Sequence, residues 1–144
     1  MRRIAVTGSA GLIGSALARS LSADGHEIVR LVRREPAAPD EVRWDPERQY
    51  VDVAGLRGCE AVVHLAGAGV GDHRWTEAYK REILESRVLG TAAIAEAVAS
   101  MDSPPQVLVS ASGVNFYGDT GDRAVDENDP PGDGFLAEVC QAWE

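Results

Sequence analysis

The chain has 144 residues, 44% of them hydrophobic, and 14 basic against 23 acidic side chains give a formal charge of −9. That length supports one domain with a real core and excludes two; the apolar fraction excludes disorder, and the acidity argues against nucleic acid or an anionic membrane as partner. Two distant cysteines, Cys59 and Cys140, and three scattered histidines provide neither a disulfide framework nor a metal site, and they fit a reducing, cytoplasmic setting.

Behind Met1-Arg2-Arg3, residues 4–6 form a short apolar strand, too short for a signal peptide. Residues 12–23 read as a helix with Ile13, Leu17 and Leu21 on one face, and Gly25 suits the left-handed position that ends it. Strands follow at residues 27–32, 42–44 and 61–65. A long helix is predicted over 77–99, with Thr76 as N-cap and an apolar stripe of Leu84, Val88, Ala92, Ala95 and Ala99. Residues 106–110 are the fifth strand. No stretch is long enough to span a bilayer. Strands alternating with helices predict an α/β fold with a doubly wound parallel sheet. A complete sheet of that kind has about six strands, and Gln141-Ala142-Trp143-Glu144 reads as the middle of a helix. The expectation is therefore a domain over residues 1–144 that is the N-terminal portion of a longer protein, without its C-terminal substrate lobe. Its fifth strand would be an exposed edge, favouring self-association or marginal stability.

The most informative stretch is Thr7-Gly8-Ser9-Ala10-Gly11-Leu12-Ile13-Gly14, between the first strand and first helix. A strand that turns on glycines into a helix points bare N–H groups and a helix N-terminus at one spot, which suits a phosphate. Gly8 would permit the turn, Gly11 the close approach of a pyrophosphate, and Gly14 the close seating of the helix. The tip of the second strand then discriminates between dinucleotides. A carboxylate there would bind the ribose hydroxyl of NAD, a cation the 2′-phosphate of NADP. This chain has Arg33-Arg34, and Arg33 follows the last glycine at close to the expected spacing. A guanidinium can grip a phosphate through two hydrogen bonds, so the expected cofactor is NADP(H). The competing reading makes both arginines solvated strand-end charges and Glu35 a displaced ribose ligand.

Together with His64-Leu65-Ala66-Gly67 and Ser110-Ala111-Ser112 ahead of Tyr117-Gly118, the glycine turn resembles the extended short-chain dehydrogenase/reductase superfamily. Arg33-Arg34, Trp44-Asp45-Pro46, Arg74-Trp75, Ser86-Arg87 and residues 132–138 are similar to its "epimerase family protein" branch of NAD(P)-dependent epimerase/dehydratases. The resemblance implies a Rossmann-type domain in which Gly8, Ala10, Gly11, Leu12, Ile13 and Gly14 carry the pyrophosphate. It implies that Arg33 and Arg34 meet the adenosine phosphate, and that Leu65, Ala66 and Gly67 lie by the nicotinamide ribose. Glu82, Arg87 and Ser110 fall at further cofactor positions, although Glu82 and Arg87 read equally as exposed helix charges. Ser112 falls at the serine that binds the reacting hydroxyl or carbonyl.

One element of the superfamily is missing. Its members pair a catalytic tyrosine with a lysine four residues later, whose charge lowers the phenol pKa. Four residues beyond Tyr50, Tyr79 and Tyr117 stand Ala54, Ile83 and Gly121, and the single lysine, Lys80, adjoins Tyr79. Two functions stay open. One is an NADP(H)-dependent epimerase or oxidoreductase using Ser112 with Tyr117, or an acid from residues 119–129, on an unknown small molecule such as a nucleotide sugar, with Arg74 as an anion grip. The other is an NADP(H)-binding sensor or interaction module without turnover. Tyr117 also reads as a structural aromatic, and Arg74 as a solvated loop charge.

Overall fold

Alternating strands and helices build one six-stranded sheet in the computed structural model, which describes residues 1–144. In chain order the elements are β1 (Arg3–Thr7), α1 (Leu12–Ala23), β2 (Glu27–Val32), β3 (Glu41–Asp45), β4 (Tyr50–Val51), β5 (Ala61–His64), α2 (Glu77–Ala99), β6 (Val107–Ser110) and α3 (Phe135–Trp143). Short 3-10 turns occupy Val53–Leu56 and Val114–Tyr117. The strand order is β4-β3-β2-β1-β5-β6. All neighbours are parallel except β4, which folds back antiparallel on β3.

The chain moves outward from β1 to β3 and then returns to lay β5 on the other side of β1. Right-handed crossovers running in opposite directions put α1 and α2 on opposite faces of the sheet. This is the doubly wound arrangement that the alternation predicts, with one strand more than the sequence pattern reveals. The addition, β4, has two residues and follows a tight turn with Gln49 at φ 50°, so it is too short to show a period.

The core lies on the α2 face. Ala5, Val29, Leu31, Val42, Trp44 and Val62 project from the sheet onto Ala93, Ile94 and Ala97 of α2. The buried positions of α2 are Tyr79, Ile83, Gly90, Ala93, Ile94 and Ala97, so the expected stripe is rotated; Ala95 and Ala99 are exposed. Alanine fits either face of a helix, and the bulk of Ile83 and Ile94 decides which one turns inward. Thr76 caps α2 by accepting the Tyr79 N–H (3.2 Å). Toward its N-terminal end, Tyr79 and Ile83 pack on Val139 of α3. On the other face α1 buries only Gly14; Leu17 and Leu21 are half-buried and Ile13 is exposed. Gly25 (φ 82°) closes α1 with paired bonds from His26 N–H to the Leu21 carbonyl and from Gly25 N–H to the Ser22 carbonyl. At the sheet edge β6 pairs with β5 alone, and all four of its residues are exposed.

Candidate functional site

β1 and β5 are adjacent, and the chain leaves them on opposite sides, which makes the crevice at their carboxyl ends the switch point of the sheet. A cleft of about 880 Å³ opens there. Its floor is the turn after β1. Gly8 takes φ +64°, and a Cβ on it would sit 2.9 Å from the Leu65 backbone. A Cβ on Gly14 would collide with the Gly8 carbonyl oxygen. The turn's internal hydrogen bond runs from the Gly11 N–H to the Gly8 carbonyl (3.0 Å). The N–H groups of Ser9, Ala10, Leu12, Ile13 and Gly14 have no partner, and no side chain caps α1 or places an acid in its first turn. A row of free donors at a helix N-terminus is a site for an anion.

The second wall is the end of β2. Arg34 is committed: its guanidinium grips the buried Glu41 carboxylate in a two-pronged pair at 2.7 and 2.6 Å. That bond, with the Ala37 N–H, holds the Glu41 pKa at about 2. Arg30 is likewise taken by Asp40 (2.7 and 3.0 Å). Arg33 lines the same cleft, is exposed, and makes no hydrogen bond or ion pair. Glu35 faces away, toward Arg43 (3.4 Å), outside this cleft.

The third wall is the segment between β5 and α2. Leu65, Ala66 and Gly67 line the cleft, as does Glu82 from α2. Side chains tie this segment down. The Ala68 N–H donates to Ser86 Oγ (3.0 Å), and Arg87 donates to the carbonyls of Ala68 (2.9 Å) and Ile83 (3.0 Å). Tyr79 Oη donates to the Gly69 carbonyl and Trp75 Nε1 to that of Val70 (2.7 Å). Arg87 therefore stands behind the wall, half-buried and 5.0 Å from the Trp143 ring, and does not line the cleft.

Ser110, Ser112 and Tyr117 also lie outside the lining. The Ser112 hydroxyl pairs with the Glu144 carboxylate. Tyr117 packs edge-on against Phe116 (5.2 Å), and its pKa is raised by burial and then by the surrounding Glu127, Asp126, Asp129 and Glu144. Lys80 is held by Glu77 (3.3 Å). The sequence reading missed Arg81, Asp72 and His73, all of which line the cleft. For Arg81 a signal exists: Ala78, Arg81, Glu85 and Leu89 recur at helical spacing on the α2 face away from the buried stripe.

A mostly parallel sheet with a row of free backbone N–H groups at its switch point and a free guanidinium beyond the second strand defines a Rossmann-type dinucleotide-binding domain. The NAD dependent epimerase/dehydratase family matches residues 4–135, and the chain belongs to that family. An epimerase family protein of Mycobacterium leprae is 43% identical over 98% of this chain and 45% of its own length. The crystal structure of human epimerase family protein SDR39U1 (isoform 2) with NADPH superposes with a TM-score of 0.85 at 35% identity, covering 98% of this chain and 47% of that one. The nucleoside-diphosphate sugar epimerase from Corynebacterium glutamicum gives 0.83 at 43% identity, covering 99% and 29%. The chain thus spans about half the length of the curated relatives it matches. No helix is long and apolar enough to cross a membrane.

Proposed function

We propose that residues 1–144 are the cofactor-binding unit of an NADP(H)-dependent epimerase or oxidoreductase acting on a small molecule in a cytoplasmic setting. The observation that carries this reading is Arg33, the one guanidinium at the end of β2 with no protein partner, facing a cradle of free N–H groups. In this reading the turn from Gly8 to Gly14 binds the pyrophosphate. Arg33 takes the 2′-phosphate while Glu41 holds Arg34 in place beside it, and Leu65 to Gly67 flank the nicotinamide ribose. Glu82 borders the cleft, and Arg87 acts by fixing the loop behind it. The NADPH in the human relative supports the choice of coenzyme, and the Corynebacterium glutamicum relative supports a nucleotide sugar as substrate class. When bound, the coenzyme supplies a hydride donor or acceptor; Ser112 and Tyr117 would serve the substrate's hydroxyl or carbonyl.

A second reading, binding without turnover, is favoured by Tyr117. Its phenol is pushed up and Gly121 stands where a lysine would lower it, the reverse of what a proton acceptor needs. Calorimetric titration with NADPH and NADH, followed by a hydride-exchange assay on a panel of sugar nucleotides, tests both. NADPH binding at least about tenfold tighter than NADH is expected. Absence of NADPH binding overturns the proposal, and binding without exchange selects the second reading.

A further inference from the structure

Thr7 and His64 are register neighbours in the β1–β5 pair, project from the same face of the sheet, and are both fully buried. The Thr7 hydroxyl oxygen accepts the N–H groups of Leu65 (3.0 Å) and Ala66 (3.2 Å) and lies 2.8 Å from His64 Nδ1. A hydroxyl has one proton and two lone pairs. Both lone pairs are filled, so the proton must point at Nδ1, and the ring hydrogen of the neutral imidazole must sit on Nε2.

From this we infer that His64 is a positioning residue: its Nδ1 holds the Thr7 proton, which turns the hydroxyl oxygen onto the Leu65 and Ala66 N–H groups and fixes the cleft wall against which Gly8 packs. The ligand in this inference rests on the NADP(H) reading above; the hydrogen-bond geometry does not. Two observations favour it over a role in filling space. His64 Nε2 is buried with no hydrogen-bond partner, which is unfavourable for a donor, and an apolar ring would occupy the same place without one. The imidazole also has to be neutral, because an imidazolium would aim a second proton at the Thr7 hydroxyl. Burial, the sole cause acting on it, lowers its pKa to about 4. Around the ring, Trp44 meets it edge-on at 5.8 Å and Gly90 lies beside its Cε1–Nε2 edge. Neither offers Nδ1 another proton.

Three measurements on the intact protein test the inference. Nitrogen NMR of the histidine-labelled protein should show His64 with its hydrogen on Nε2; a hydrogen on Nδ1 overturns the inference outright. His64→Phe keeps a ring and removes the acceptor. It should speed amide exchange at Leu65 and Ala66 and weaken NADPH binding, each by about tenfold. His64→Asn puts an amide oxygen close to the place of Nδ1 while leaving a cavity. It should restore affinity to within about threefold even though it unfolds at lower denaturant. Unchanged exchange and affinity in His64→Phe, or equal losses in both variants, would show that only packing matters. If His64→Phe does not fold, the NMR signature and His64→Asn decide. If the wild-type protein binds no NADPH, the cofactor reading has failed, and the tautomer and the amide exchange still judge the lock.

Discussion

The segments that leave β1 and β5 lie side by side and are both rich in glycine, yet they are satisfied in opposite ways. Residues 8–14 have one internal backbone bond and no side-chain partner for their N–H groups. Residues 65–70 are held by Thr7, Ser86, Arg87, Tyr79 and Trp75, all through side chains. Buried or half-buried backbone groups need partners. A segment whose partners come from the protein is a wall, and a helix N-terminus whose donors are left free is able to take an anion. Glycine content alone does not separate the two; the fate of the hydrogen bonds does.

The sharpest way to break this contrast is Gly14→Ala. Its methyl would strike the Gly8 carbonyl, so we expect NADPH affinity to fall by roughly a hundredfold or more, with about 1–3 kcal/mol of stability lost to strain. Calorimetry and denaturant unfolding measure the two, and retained affinity would mean that the free donors are unused. The pin between the segments gives the next effect, through pH. His64 titrates at 6.5 when unfolded and about 4 when folded. Its contribution is therefore whole above pH 6.5. As pH falls toward 4, the unfolded chain takes a proton that the folded chain refuses, and about 3 kcal/mol is lost. Unfolding curves between pH 7 and 4 should show this slope, and His64→Asn should lack it. The loss tied to the Glu41 carboxylate falls in a separate window, from pH 4.5 down to about 2. Third, Arg33→Ala should cost about ten- to a hundredfold in NADPH affinity and leave NADH unaffected. Arg34→Ala should instead lower the melting temperature, since it strips a buried carboxylate of its main partner. The smallest effect belongs to the wall. Tyr79→Phe frees the Gly69 carbonyl, at a cost of about 1 kcal/mol in stability and less than about threefold in affinity.

The glycine turn was legible in the sequence because each glycine answers a local demand on φ or on space. The strand–helix alternation was legible for a similar reason, since period and punctuation are local. What could not be read are pairings between distant positions. Nothing in Arg33-Arg34 says which arginine Glu41 will claim, and only the alignment of β2 with β3 decides it. His64 looked like one of three scattered histidines until strand register set it beside Thr7. The α2 stripe failed for a different reason: five alanines between Ala92 and Ala99 erase the difference between faces that a hydrophobic pattern depends on.

In the proposed reading the turn holds the pyrophosphate through its main-chain N–H groups, so the side chains of Ser9 and Ala10, although they line the cleft, supply none of the groups that reading calls on. Ser9 makes no side-chain hydrogen bond and Ala10 points to solvent. Substitution at these two positions should therefore be tolerated better than at Gly8 or Gly14, where a Cβ meets backbone. A laboratory library seeking altered coenzyme preference would be best diversified at residue 33 and at Pro46 and Glu47 on the rim, with the turn and the buried Trp44 left untouched.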